Sequence, residues 1–335
     1  MNVNQPVVSV LVAAYNAAST LPRCIDSLCS QSLADIEILC VDDCSTDDTL
    51  KYLRSRAASD SRIHVMQTNA NSGQAVARNM ALAQARGTFV AMLDADDWMS
   101  EDCLQSAVDV FAKYPQTDCV VLRLMQHFEA DGSEVDYGLP AALDEGRALT
   151  GSEAFELCLN GWQLHGLYIT RTELHQRIPF DTSCRLYSDD NTARLHYLES
   201  REVRACNGIY YYRKHDASMT MSFNIRRFDF MEANLSLLKA LQSRGIAKPL
   251  MQRFQVQRWM TFIGCYRLFL LHRNELPNSA LSGLRQRFAN VFKTFSRRDI
   301  PLRSHLKPGY WLTCCMWMFD MQQRLYTWLK YNNHS

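Results

Sequence analysis

The chain has 335 residues, 47% of them hydrophobic, so a large α/β domain with a substantial extension can form a real core. Its formal net charge of +1 conceals a split: residues 221–335 hold 18 of the 36 Lys and Arg but five of the 35 Asp and Glu, so an acidic N-terminal part precedes a strongly basic one. No apolar run reaches the ~18 residues of a membrane-spanning helix, and residues 7–14 lack the basic leader and cleavage region of a signal peptide, so neither is expected. The twelve Cys have no C-x-x-C spacing, and several (Cys40, Cys119, Cys265) sit in apolar runs. They predict buried, reduced thiols in a cytosolic protein and exclude a disulfide framework.

Residues 7–13 are a short β-branched run that predicts a buried strand, ended by Tyr15-Asn16. A helix follows from Thr20-Leu21-Pro22, with Leu21, Ile25 and Leu28 on one face. Residues 36–41 predict a second strand ending in Asp42-Asp43, and Ser45 and Asp48 are spaced as a capping-box variant for the next helix. A third strand is expected at 63–66 and a turn at Asn71-Ser72-Gly73. An Ala-rich helix should run from about Gln74 to Arg86 and stop at Gly87. Residues 89–93 predict a fourth strand that ends abruptly in Asp94, Asp96 and Asp97. This β-α-β-α-β-α-β order predicts an open, largely parallel sheet with helices on both faces. Its strand ends at Tyr15, Asp42-Asp43 and Asp94 should open onto one edge, where a nucleotide lies in such sheets. Further on, helices are expected at 104–111 and 151–159, strands at 119–124 and 167–170, and a turn at Asp131-Gly132-Ser133. A helical turn at 173–176 comes next, then a helix opening at Tyr187-Ser188-Asp189-Asp190 and a Tyr-rich strand at 208–213. Beyond about Thr220 the alternation ends and the pattern is helical.

Three carboxylates as close as Asp94, Asp96 and Asp97 repel one another unless a cation or a donor offsets them. One carboxylate with phosphate oxygens and water is how Mg²⁺ or Mn²⁺ is usually held at a nucleotide. The first reading is therefore a metal–diphosphate site at a strand end. The competing reading is a loop that caps the next helix through Ser100, ahead of Glu101 and Asp102.

The ordered pieces Val8-Ser9-Val10, Ala14-Tyr15-Asn16, Val41-Asp42-Asp43-Cys44-Ser45, Asn71-Ser72-Gly73, Ala77-Arg78-Asn79 and Leu93-Asp94-Ala95-Asp96-Asp97 resemble the family 2 glycosyltransferases. So do Gly166-Leu167-Tyr168, Phe180, Ser188-Asp189-Asp190 and Tyr212-Arg213-Lys214-His215. The resemblance covers about residues 6–220. Three departures stand out: Ala14 where the family often has Pro, Cys44 where it usually has Gly, and Asp189 where it commonly has Glu.

The resemblance implies an inverting enzyme of the GT-A fold: an open, mostly parallel nucleotide-binding sheet flanked by helices. Residues 1–220 would be the transferase domain, with a nucleotide-sugar half at about 1–100 and an acceptor half at about 101–220. Residues 221–335 would be a helical extension. By the same resemblance, Asp43 and secondly Asp42 read the nucleobase, generally uracil, and Tyr15 lies along the base or ribose, with Ala14 and Asn16 in the same loop. Gly73 lets the backbone approach the ligand, and Arg78 points into the nucleotide site. Asp94 meets ribose or a metal-bound water, next to Ala95, and Asp96 binds Mn²⁺ or Mg²⁺ directly. Asp190 is the implied general base, with Asp189 as its understudy, and His215 joins the metal or the diphosphate. Each has a plainer alternative: helix capping for Asp42, Asp43, Asp189 and Asp190, packing for Tyr15, a solvated helix position for Arg78, a turn for Gly73 and a surface imidazole for His215.

In the basic tail, residues 251–272 mix Arg253, Arg258 and Arg267 with Phe254, Trp259, Phe262, Ile263, Tyr266 and Phe269. Residues 310–319 are nearly all apolar, and Tyr326, Trp328 and Tyr331 follow. Aromatics beside Lys and Arg suit a helix lying in a membrane interface, so attachment to an anionic membrane face is expected. The rival is a helical subdomain whose aromatics form a core or a homodimer interface. No nucleic-acid-binding motif accompanies the charge. The expected function is transfer of a hexosyl or N-acetylhexosaminyl group from a nucleotide-sugar, a UDP-sugar first, to a glycan or polyprenyl-linked acceptor. The process would be bacterial surface polysaccharide, O-antigen or lipooligosaccharide synthesis, on the cytoplasmic face of the inner membrane. The alternative is an inactive relative that binds sugar nucleotide as a scaffold of a glycan-assembly complex. A second rival is a dinucleotide-binding dehydrogenase, against which stands the lack of a G-x-G-x-x-G after the first strand.

Overall fold

The β-branched run at the N-terminus forms β1 (Val8–Ala14), buried on both faces as a central parallel strand must be. The computed structural model describes residues 5–139, 141–144, 146–159, 163–183, 185–214, 223–301 and 307–331. They fall into two compact units, Met1–Met221 and Ser222–Ser335.

The first unit continues with α1 (Leu21–Cys29), β2 (Ile36–Asp42), α2 (Thr49–Ser59), β3 (Ile63–Gln67), α3 (Gln74–Leu82) and β4 (Phe89–Asp94). There follow β5 (Trp98–Met99), α4 (Cys103–Lys113), β6 (Thr117–Phe128), β7 (Glu134–Gly138), α5 (Ala141–Asp144) and α6 (Gly151–Leu159). Then come β8 (Tyr168–Arg171), α7 (Thr172–Arg177), α8 (Ser188–Glu199) and β9 (Glu202–Lys214). The strands form one nine-stranded sheet in the order β3-β2-β1-β4-β8-β6-β9-β5, with β7 beside β6. The segment β3-β2-β1-β4 is parallel throughout. Beyond it β8 runs antiparallel to β4 and β6, and β9 returns parallel to β6. In register, Ala14 lies opposite Asp42 and Ala13 opposite Asp94, so three strands end at one level.

Several local expectations are corrected. α3 ends at Leu82, one turn before Gly87. Gly87 serves close packing instead: a Cβ there would sit 2.5 Å from the Ser9 backbone nitrogen, and its own N–H donates to Ser9 Oγ at 2.8 Å. Gly87→Ala is expected to destabilise the first unit by about 1–3 kcal/mol, read as a lower urea midpoint at unchanged slope. β6 and β9 are longer than the apolar runs that announced them, because only the inner half of β6 is buried. β7 is exposed and lacks an apolar signature, and β5, though both its residues are apolar and buried, is too short to show a period. α4 starts at Cys103 with Asp102, not Ser100, at its N-cap; Ser100 Oγ donates to Asp102.

The second unit comprises a 3₁₀ turn (Ile225–Phe228), α9 (Asp229–Ser243), α10 (Lys248–His272), α11 (Asn278–Phe292) and α12 (Met316–Tyr331). The aromatics of α10 face inward: Phe254, Trp259, Phe262, Tyr266 and Phe269 are buried, most of them in one cluster with Phe228, Phe288 and Phe319. Arg258 is buried too, bonded to Gln255 and lying over the Phe295 ring. The expectation that this stretch lies in a membrane interface is therefore corrected, since composition alone does not separate an aromatic core from a lipid-facing surface. None of the described helices is long and apolar enough to cross a membrane.

Candidate active site

The common level of the strand ends builds the site. At the end of β1, Asn16 takes a left-handed backbone (φ 49°) and turns the chain across the edge. Its N–H donates to Ser45 Oγ at 2.9 Å, and its side-chain oxygen accepts from Thr46 N–H at 2.8 Å. Ser45 therefore ties two loops together and does not cap α2, whose N-cap is Asp48. Cys44, where the resembled family has Gly, has φ 62°, a region that suits glycine. Tyr15 is exposed on this edge and Ala14 is buried, its carbonyl accepting from Asp43 N–H.

Asp42 and Asp43 are both buried and neither caps a helix. Asp43 Oδ1 accepts from Ser72 N–H at 2.9 Å and Thr68 Oγ1 at 2.8 Å, and Oδ2 accepts from Gly73 N–H at 2.7 Å. Gly73 has φ 94°, so the turn requires it as well as presenting its N–H. Asp42 accepts from Gln67 Nε2 at 3.2 Å and more distantly from Ser45 N–H. The pair thus holds the 68–73 loop onto the sheet edge.

Arg78 is not a solvated helix residue. It is buried on α3 and ion-paired with Asp94, whose Oδ1 also accepts from Gln74 Nε2 at 2.8 Å. Burial alone lowers the Arg78 pKa, but Asp94 and then Asp189 outweigh it, and the net shift is upward. Arg78 therefore electrically links the end of β4 to the start of α8. The next residue, Asn79, which sequence reasoning left without a role, exchanges two 2.9 Å hydrogen bonds with the Phe180 backbone and clamps α3 to the loop before α8.

Carboxylate oxygens of Asp94, Asp96 and Asp97 come within 4.8 Å of one another around the buried Ala95. Asp97 is the most enclosed of the three. It accepts from Tyr210 Oη at 2.8 Å and Arg213 N–H at 2.8 Å, and Tyr210 Oη in turn accepts from Asp94 N–H at 3.2 Å. This latch onto β9 was not legible in the sequence, where Tyr210 is one of three successive tyrosines. Burial, then repulsion from Asp94 and Asp96, pushes the Asp97 carboxyl well above the usual range. Oxygen donors that converge and repel in this way fit a hard divalent cation, which would offset their charge.

α8 opens with Asp189 and Asp190, with Tyr187 left-handed (φ 66°) just before them, and Asp189 acts on Arg78. Asp189 Oδ1 accepts from Asp190 N–H at 3.0 Å, a local turn contact. Asp190 lies deep among protein atoms with only part of its surface open. Burial and then Asp189 raise its pKa to about 8, against the pull of Arg194. Such a carboxyl can accept a proton near neutral pH. His215 lies outside the described residues.

Residues 9–156 match the sequence model described as Glycosyl transferase family 2. The chain is 31% identical over 223 residues to the uncharacterized glycosyltransferase EpsJ of Bacillus subtilis, covering 64% of this chain and 63% of that protein. It spans less than two thirds of the length of each of the first curated relatives that it matches. Among solved structures, S. aureus TarS 1–349 superposes with a TM-score of 0.70 at 20% identity, over 98% of this chain and 92% of TarS 1–349; it has also been solved with UDP and with UDP-GlcNAc. The mannosyltransferase PcManGT from Pyrobaculum calidifontis, in complex with GDP-Man and Mn²⁺, superposes with a TM-score of 0.55 at 18% identity, over 98% of this chain and 89% of that one.

Proposed function

Residues 9–156 of this chain belong to glycosyl transferase family 2, on a sheet of the GT-A fold, and from that premise we propose an inverting, metal-dependent glycosyltransferase that uses a UDP-sugar. One observation carries the reading: the register that places Asp42, Asp43 and the Asp94–Asp96–Asp97 cluster on one edge, with Arg78 linking that edge electrically to Asp189 of α8. The TarS complexes with UDP and with UDP-GlcNAc support a UDP-sugar donor, and the GDP-Man complex of PcManGT supports a nucleotide-sugar more broadly.

In this reading the base and ribose lie along Tyr15 and the 14–16 loop, with the Asp42 and Asp43 carboxylates nearest the base. The hydrogen bonds of Asp43 to Ser72 and Gly73 hold the loop that frames the ribose. Asp96, with Asp94, would hold Mn²⁺ or Mg²⁺; when bound, the ion offsets the charge of the diphosphate. An acceptor hydroxyl attacks the anomeric carbon and its proton passes to the Asp190 carboxylate. The bond from that carbon to the diphosphate oxygen breaks, and its electron pair leaves with the diphosphate. Asp97 supports the cluster through Tyr210, while Asp189 is the alternative base. A glycan or polyprenyl-linked acceptor in bacterial surface-polysaccharide synthesis, at an anionic membrane face of the cytoplasm, completes the proposal.

The test is release of nucleotide from a panel of UDP-, GDP- and dTDP-sugars by purified protein, with Mn²⁺, with Mg²⁺ and with EDTA. One UDP-sugar should be turned over in the presence of metal, with activity lost in EDTA and falling by about 10²-fold or more in Asp96→Ala. No release from any donor, even with a membrane lipid extract as acceptor, would overturn the reading in favour of a nucleotide-sugar-binding scaffold.

A further inference from the structure

α12 is built inside out for a helix in water. At 100° per residue, Trp317, Met318, Met321, Leu325, Trp328 and Leu329 share an arc of about 120°. Each of the six is 44–68% exposed. The opposite face is anchored: Phe319 is buried in the aromatic core of the second unit, and buried Gln323 donates to the Gly309 carbonyl and accepts from Arg267. The exposed stripe is therefore not a frayed helix seeking its core. Trp311 adds a further exposed indole, and a groove of about 490 Å³ lined by Phe292, Phe295, Leu312 and Met316 meets the start of α12. Lys293 and Arg297 line the same groove and place cations beside the apolar surface.

We infer that this outward face of α12 is a docking surface for an anionic lipid bilayer. Charge decides between that occupant and a second copy of the chain. Residues 222–335 hold 18 basic and five acidic side chains, a net charge of +13. A symmetric contact through α12 would bring two such units together, whereas anionic headgroups complement them. Indoles at both ends of the stripe suit the headgroup boundary, where an apolar body and an N–H donor are both satisfied. A helix of 16 residues can lie in that plane but cannot span the bilayer. The inference specifies where the proposed membrane attachment resides and does not rest on the transfer chemistry.

The test uses the full chain under reducing conditions, sedimented with vesicles of about half phosphatidylglycerol in phosphatidylcholine, and with phosphatidylcholine alone. At least about tenfold stronger partition onto the anionic vesicles is expected, with Trp emission quenched by brominated lipid. The triple variant Trp317→Glu, Leu325→Glu, Trp328→Glu should lose at least about tenfold of that partition while retaining its circular dichroism and donor hydrolysis. A milder Trp317→Ser, Trp328→Ser variant gives the same readout should the triple variant misfold. Undiminished partition of the folded variant, equal binding to both vesicle types, or absence of lipid quenching in the native chain overturns the inference. A concentration-dependent dimer that the triple substitution abolishes assigns the face to a second copy and overturns it equally.

Discussion

Asp190→Asn is expected to cut kcat for sugar transfer by about 10²–10⁴-fold and leave nucleotide binding unchanged, the split that marks loss of a proton acceptor. Asn keeps the shape of the side chain and its contacts but cannot take the acceptor's proton. The pH dependence follows from the same group. Burial and Asp189 hold its pKa at about 8, and only the deprotonated form is a base. Transfer by the native protein should therefore rise with pH and level off above about 8, while residual transfer by Asp190→Asn should lack that rise. Stability should run the other way. A carboxyl whose folded pKa lies above its unfolded value favours the fold below about pH 4, and that contribution is lost as pH rises through 8. At pH 8 the native carboxylate costs the fold roughly 2–3 kcal/mol, allowing for its residual solvent contact. Asp190→Asn should accordingly raise the urea midpoint at pH 8 while it lowers turnover. A variant that loses both stability and nucleotide binding would mark Asp190 as a structural acid.

Arg78→Met should lower stability by about 2–3 kcal/mol and abolish detectable UDP binding in calorimetry. Removing one partner of a buried ion pair leaves the other uncompensated, which commonly costs about 3–5 kcal/mol, and the partial exposure of Asp94 moves the expectation to the bottom of that range and below it. The loss should be electrostatic rather than a cavity effect, since Met occupies similar space. Pairing it with Asp94→Asn should therefore recover most of the stability by relieving the unpaired carboxylate. UDP binding should not return, because the α3 cation and the cluster's first carboxylate are then both gone. Binding restored in the double variant would show that Arg78 serves only to neutralise Asp94.

The sequence by itself determined the class of fold and which strand ends share the acidic edge of the candidate site. Local signals were enough for that: the apolar runs at β1, β2 and β4 are buried on both faces, and their polar terminations are abrupt because the strands end at an edge where carboxylates find hydrogen-bond donors in place of apolar neighbours. The ordered pieces between Val8 and Thr220 also pointed to the family, whose sequence model matches residues 9–156. Tertiary structure decided what those signals leave equal. Buried polar bonds between distant segments have no period, so the Asp97–Tyr210 latch, the Asn79 clamp on Phe180 and the hold of Asp43 on the 68–73 loop appear only once the strands are placed. Gly87 read as a helix stop because glycine's freedom and its small size leave the same letter; only the neighbouring Ser9 backbone tells them apart. Composition likewise gave the aromatics of α10 and α12 one meaning. Packing separated them, burying the α10 rings with Phe319 and turning Trp317 and Trp328 outward, because a helix face is apolar for one of two reasons and only its neighbours decide which.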